Sequence, residues 1–266
     1  MERAIRTPPR RGALLGLLVI IAATAIAYAN AFPPFFGGLD AKESIRDKPY
    51  IRTLWPLSHA MSLPLLADTL ATDPGSKGGT MVRRPVLSLT FALNQALLGP
   101  DPWGYHLVNI LLHISAACVL FALLRHRLAL RRIAHGDSIA LATALLWAVH
   151  PLQTESVTNL VQRAEALMGL LYLTTLYAAA RHLHGDGHRW GWAAVAVVAC
   201  ALGMGTKETM VTAPVAVLLY DWVFVSRSLR DLARHGWLHA ALWSTWLVLA
   251  GLLLSTADDA ARDFVA

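Results

Sequence analysis

The sequence predicts an all-α polytopic membrane protein, and three observations carry that reading. Hydrophobic residues make up 56% of the 266, with a mean hydropathy of +0.48. Charged residues make up 15%, against about 25% in an ordinary soluble domain. The apolar residues also gather into long runs separated by short polar or basic connections, the layout of a chain that crosses a bilayer repeatedly.

A crossing helix needs about 20 apolar residues. Seven segments reach or approach that length: 13–32, 105–124, 138–150, 160–180, 190–205, 209–225 and 237–255. The first follows RTPPRR, and AYANA near its end resembles a signal-peptide cleavage site. Its apolar run is long for that role, so an uncleaved helix is expected. The third run is short and draws on its flanks.

The charges orient the bundle. Of the 23 Lys and Arg, 13 fall in four short segments: Arg3 to Arg11, Arg125 to Arg132, Arg181 to Arg189 and Arg227 to Arg234. Alternate connections are poor in base, as the positive-inside rule requires of cytoplasmic loops. The N-terminus is therefore expected inside. The segment 33–103, the HPLQTES turn, the GTKET turn and the C-terminal tail are expected outside. The net charge of +6 is thus explained by topology, and nucleic acid is not an expected partner. Cys118 and Cys200 lie singly within apolar runs and read as small buried hydrophobes.

The long connection 33–103 is unusual for a loop without a role. Within it, VLSLTFALNQALL follows Arg83-Arg84-Pro85, which predicts a helix with proline in its first turn. It is too short to span easily. The expectation is a helix near the outer interface or tucked against the bundle, with Trp55 and Trp103 at headgroup depth.

Ionisable groups inside or beside apolar spans are costly, so each is a functional candidate. HPLQTESVTNLVQRAE is expected as a turn plus the first two or three turns of a helix, on which Glu155, Thr158, Gln162 and Glu165 share one face near the outer leaflet and Arg163 lies next to it. His150-Pro151 ends the preceding helix. The bland alternative is Arg163 pairing with Glu165 or Glu155 as structural glue. Lys207-Glu208 stands at the next outer turn, where Lys207 could simply snorkel to the interface. Taken with Arg84, His150 and Arg163, it forms a group of cations on one membrane side that suits a phosphate. Asp40 and Glu43 follow the first span, and Asp40, nearest the membrane boundary, could serve as general base on a hydroxyl. His106, Asn109 and His113 fall on one face of the second span and read as an inward-facing surface or helix-to-helix hydrogen bonds. The seven-residue spacing of the two histidines argues against a shared metal. Asp221 reads as an anchor of its helix end.

Four stretches taken together resemble a known family: FGGLDAKESIRDKPYIRTLWPLS, RRPVLSLTFALNQALLGPDPWGYHLVNILLHISAA, HPLQTESVTNLVQRAEALMGLLYL and GTKETMVTAPVAVLLYD. They occur, in order, in the membrane half of the O-mannosyltransferases that carry tetratricopeptide repeats, a family with many bacterial relatives. The resemblance runs from about residue 20 to 225. It implies a GT-C-like bundle forming a single domain over 1–266, with 33–103 as the first extracytoplasmic loop holding the catalytic acid.

The resemblance also implies a polyprenyl-phosphate sugar as donor and transfer to a protein or glycan hydroxyl at the outer face of a bacterial inner membrane. Asp40 matches the acid that opens the family's loop motif. The family often has two adjacent acids there, and this chain has Leu39-Asp40-Ala41, so Glu43 would assist. Arg84, His150, Arg163 and Lys207 are then the expected donor-phosphate ligands. Glu155, Gln162, Glu165, Glu208, His106 and Asn109 are expected as supporting polar groups. No cofactor is required by this scheme, no metal ligand set is assigned, and a divalent metal stays open, since the loop acid could act as base or ligand.

The chain departs from the family in stopping soon after the seventh span, without further spans or repeats. The expected function is a membrane glycosyltransferase, inverting, with mannose the sugar the family suggests. The rival reading is a non-catalytic membrane module that binds lipid-linked sugar or scaffolds partners. A transporter fits less well, because no Gly/Pro-broken pair of spans recurs in matching halves.

Overall fold

The computed structural model describes residues 10–32, 54–55, 57–61, 84–185 and 188–254. Asp40 and Glu43 lie outside the described residues. Every regular element among the described residues is helical.

The order is α1 (Arg10–Ala27), one helical turn at Leu57–Ala60, α2 (Pro85–Leu98), α3 (Pro102–Leu130) and α4 (Gly136–Ala148). Then come α5 (Thr154–Thr158), α6 (Arg163–Leu183), α7 (Arg189–Met204), α8 (Ala213–Phe224), α9 (Leu229–Arg234) and α10 (Gly236–Ser244). Helix resumes after Thr245, so that Gly236–Leu254 extends over 19 residues. Each of the seven apolar segments carries helix. Two, Pro102–Leu130 and Gly236–Leu254, are long and apolar enough to cross a membrane by length and composition.

Proline and alanine explain much of the layout. Pro85 and Pro102 each start a helix where a missing N–H costs nothing, and Gly99 at φ 78° turns the chain between them. Helix α6 packs between α3 and α7, and alanine lines the seams: Ala178 and Ala179 on α6 meet Ala193 and Ala196 on α7 in one core cluster. Small side chains let helix backbones approach closely, which is how apolar helices associate in lipid. Gly16 serves the same end on α1. A Cβ there would stand 2.7 Å from the ring of Phe121.

Side chains tie the helix ends into two groups. At one end, Arg125 Nε donates to Asp137 Oδ1 (3.0 Å) and Arg127 Nη1 donates to His184 Nε2 (3.0 Å). There also, buried Asp221 accepts from Ser226 Oγ, His235 Nδ1 and His239 Nε2 at 2.7, 2.9 and 2.8 Å, anchoring its helix end to the next segment. These are the segments expected inside. At the other end, His113 Nε2 donates to Ala148 O (2.8 Å) and Val86 N–H donates to Gly205 O (3.1 Å). The first ties α3 to the end of α4 just before the HPLQTES turn, and the second joins the segment 33–103 to the GTKET turn, both expected outside.

The helix at VLSLTFALNQALL forms as predicted and tucks against α3 and α6. Leu87 and Phe91 pack with Tyr105, Leu160 and Ala164. The continuous polar helix expected across 154–165 does not form. Asn159 is extended at φ −82°, ψ 117°, between α5 and a 3₁₀ turn at Leu160–Gln162. The break is stabilised locally, because Asn159 Oδ1 accepts the Val161 N–H (3.1 Å). Glu155 and Glu165 therefore do not lie on one helical stripe.

Candidate functional site

The break at Asn159 takes Val157 O and Asn159 O out of the regular helical pattern, Asn159 O accepting the Gln162 N–H at 3.1 Å. Asn109, from α3, supplies donors to them: its Nδ2 reaches Val157 O and Asn159 O, each at 3.4 Å. Its Oδ1 accepts from Arg163 Nε at 2.7 Å. One buried amide thus fixes both the seam and the arginine that begins α6.

Arg163 is 0% exposed, the largest fully buried side chain in the described structure. Its Nη2 donates to Asn94 Oδ1 (2.8 Å) and Tyr105 O (3.0 Å), and its Nη1 to Thr90 O (3.3 Å). The guanidinium lies 4.2 Å from the centre of the Phe91 ring. Four acceptors and an aromatic face offset the desolvation of a buried cation. No carboxylate is among these partners. The side chain expected as a phosphate ligand instead joins α2, α3 and the start of α6, and it is neither free nor paired with Glu155 or Glu165.

Two residues on, Glu165 Oε1 accepts from Lys207 Nζ. Lys207 belongs to the turn 205–207, which is held near α2 by the Val86–Gly205 hydrogen bond. Beside it, Arg84 Nη2 donates to Glu208 Oε2 at 3.2 Å. Both cation side chains are 20% exposed, and their carboxylate partners are 33% and 45% exposed. Burial alone would raise the Glu208 pKa. A backbone hydrogen bond and the charge of Arg84 outweigh burial and hold the carboxyl below its ordinary value. Burial and the nearby Arg84 lower the Lys207 pKa.

The cluster therefore brings Arg84, Lys207, Glu165 and Glu208 to one end of the bundle, with Arg163 and Asn109 behind it. Each of the two accessible cations already holds a carboxylate. An incoming phosphate could take the place of either carboxylate without creating an unpaired charge.

His150 is exposed and caps the turn after α4, its Nδ1 accepting the Leu152 N–H (3.2 Å), so a neutral ring carries its proton on Nε2. Glu155 is exposed and Gln162 half-buried, and neither side chain joins the ion pairs. His106 is 2% exposed against Phe32, and neither ring nitrogen has a hydrogen-bond partner among the described residues. His113 fastens α3 to the end of α4. No group of three or more His, Cys, Asp or Glu suited to a metal ion occurs among the described residues.

Reasoning from the sequence passed over Asn94 and Phe91, which cage Arg163. The signal was present: Leu87, Phe91 and Asn94 fall at i, i+4 and i+7, which places an amide in an otherwise apolar buried stripe.

A family model described as dolichyl-phosphate-mannose-protein mannosyltransferase matches residues 82–254. Among curated proteins, the chain is 35% identical over 158 residues to the protein O-mannosyl-transferase Tmtc2 of Drosophila melanogaster, covering 58% of this chain and 16% of that one. It is 35% identical over 166 residues to TMTC2 of Homo sapiens, covering 61% and 18%. It is 32% identical over 254 residues to Tmtc3 of Drosophila melanogaster, covering 87% and 26%. The chain thus spans between 16% and 26% of the length of these relatives. No solved structure matches the chain at a significant level. The matched region contains the whole cluster from Arg84 to Glu208, and on the extent of that match the chain belongs to the dolichyl-phosphate-mannose-protein mannosyltransferase family.

Proposed function

We propose that this chain carries the membrane core of a glycosyltransferase that moves a sugar, with mannose favoured by the family, from a polyprenyl-phosphate donor to an acceptor hydroxyl. The topology proposed with it is a GT-C-like bundle of seven spans, N-terminus cytoplasmic, with 33–103 and the cluster at the extracytoplasmic face and α2 near the interface. The observation that carries the reading is the pair of exchangeable ion pairs, Arg84–Glu208 and Lys207–Glu165, at one end of the bundle.

In this scheme Arg84 and Lys207 bind the donor phosphate, with His150 at its edge. Each trades a carboxylate for a phosphate oxygen as the donor enters. Asp40, assisted by Glu43, accepts the proton of the acceptor hydroxyl as its oxygen attacks the anomeric carbon. The bond from that carbon to the phosphate oxygen breaks, and the negative charge on the leaving lipid phosphate falls on Arg84 and Lys207. The transition state is oxocarbenium-like, as in glycoside chemistry generally, and a single displacement inverts the anomeric centre. Arg163 acts as a positioning residue, setting the start of α6 and hence Glu165.

The test is transfer from a radiolabelled polyprenyl-phosphate mannose in membranes containing the full chain. Asp40→Asn is expected to lower transfer by a factor of about 10² to 10⁴, the usual worth of a positioned base. Undiminished transfer by Asp40→Asn removes that residue from the mechanism.

A further inference from the structure

We infer that the arginine-rich end of the bundle holds a headgroup site for an anionic phospholipid, built on Arg127 and Arg131. The inference rests on the chain being a membrane protein and is independent of the transferase chemistry.

Arg127 and Arg131 stand four residues apart at the C-terminal end of α3, so they lie on one face. Arg127 is half-buried and held in place. Its guanidinium lies 4.5 Å from the centre of the Phe224 ring and 5.0 Å from that of Tyr220. Its Nη1 donates to His184 Nε2 (3.0 Å), while His184 Nδ1 donates to Ala180 O (2.8 Å), which fixes the tautomer that accepts. A guanidinium with five N–H donors is therefore oriented by one hydrogen bond and two rings.

Among the described residues, charge is left uncompensated there. Among the described residues, neither Arg127, Arg131 nor Arg132 pairs with a carboxylate. The acids described at this end are engaged elsewhere: Asp137 with Arg125, Asp231 with Arg234, and Asp221 with Ser226, His235 and His239. A partly desolvated cation without a counter-ion is costly, and an anion relieves that cost.

The surroundings select an amphiphile. Phe224 is 47% exposed, and the neighbouring Trp222 and Val223 are 47% and 59% exposed. Apolar surface thus borders the cationic pair, where acyl chains can lie while the phosphate meets the arginines. The residue type fits as well. The chain's lysines, Lys42, Lys48, Lys77 and Lys207, all fall outside the four basic segments, which use arginine alone. Arginine offers the planar fork that phosphate oxygens accept from.

The purified full chain, in detergent, is titrated with phosphatidylglycerol or phosphatidylcholine, and bound lipid is counted by native mass spectrometry. Phosphatidylglycerol is expected to be retained over phosphatidylcholine. Arg127→Gln and Arg131→Gln are each expected to weaken that retention about fivefold, the worth of one base near an anionic headgroup. Arg127→Lys should fall between, keeping charge and losing the fork. Arg131 is exposed, so its variant tests the site even if Arg127→Gln fails to fold. The paired change Arg227→Gln and Arg230→Gln removes twice the charge of either single change from an exposed stretch nearby and should leave retention unaltered. Equal loss from that pair, equal retention of phosphatidylcholine, or displacement of the lipid by millimolar inorganic phosphate would each overturn the inference.

Discussion

Arg163 Nε donates to Asn109 Oδ1 across 2.7 Å, and the same Asn109 amide donates to Val157 O and Asn159 O on either side of the break. The arginine is buried because the asparagine is there, and the seam is broken where the asparagine can serve it. This single relationship joins α3 to the irregular segment and to the first turn of α6.

Asn109→Leu should therefore destabilise the bundle by about 1 to 3 kcal/mol, because Arg163 loses an acceptor and two carbonyls lose a donor. Reversible unfolding in mixed micelles measures it. A double-mutant cycle with Arg163→Met should return a coupling of about 1 to 3 kcal/mol. Simple additivity of the two changes would show that the bond contributes nothing.

Lys207→Gln should raise the donor KM at least tenfold if Lys207 meets the phosphate, since a charge-assisted contact is lost. Glu165→Gln removes only the resting partner and should leave transfer within about threefold. The exchange Glu165→Lys with Lys207→Glu keeps the ion pair and should restore stability without restoring transfer. Full activity in the exchanged protein would mean that Lys207 is structural alone.

Gly205→Ala should separate α2 from the turn at 205–207. A Cβ there would meet Val86 Cγ2 at 2.8 Å, directly beside the Val86–Gly205 hydrogen bond. Overpacking of this kind costs about 1 to 3 kcal/mol. Because Arg84 and Glu208 flank the contact, donor binding should weaken along with stability. Titration of the purified variant with donor, alongside its melting curve, reads both.

The Arg84–Glu208 pair predicts a pH dependence. Glu208 has its pKa lowered in the folded chain, so its contribution is present above the ordinary carboxylate pKa and is lost as pH falls through the lower, folded value. Stability measured from neutral pH into the acid range should decline more steeply in the parent chain than in Glu208→Gln. Parallel curves for the two would remove Glu208 from the acid response.

The parts of the fold that follow from hydrophobic run length were legible in the sequence. Seven apolar segments announce seven helical regions, and Pro85 and Pro102 mark starts that the backbone then makes. The side-chain contacts also gather the arginine-bearing ends at one pole, as the charge pattern anticipates. The geometry at 154–165 was not legible. Periodicity assumes an unbroken helix, and the break depends on Asn109, which is about 50 residues away in the chain. Arg163 misled for a related reason. A cation grouped with Arg84, His150 and Lys207 invites a phosphate reading, with a carboxylate pair as the alternative, whereas its partners are uncharged acceptors from α2 and α3 that only tertiary packing supplies. The pairings of Lys207 with Glu165 and of Arg84 with Glu208 likewise join residues 42 and 124 positions apart.

Helix α4 has 13 residues and so rises only about 20 Å, against a hydrocarbon layer of about 30 Å. As one of the seven proposed spans, it requires lipid beside it to thin or neighbouring helices to tilt to cover the shortfall. Where the proposed span is met by thinning, water and headgroups come down toward His150, and the lipid surface around the proposed donor entrance is dimpled. A polyprenyl phosphate arriving there would stay at headgroup depth while its reactive carbon sits below the level of the surrounding bilayer surface.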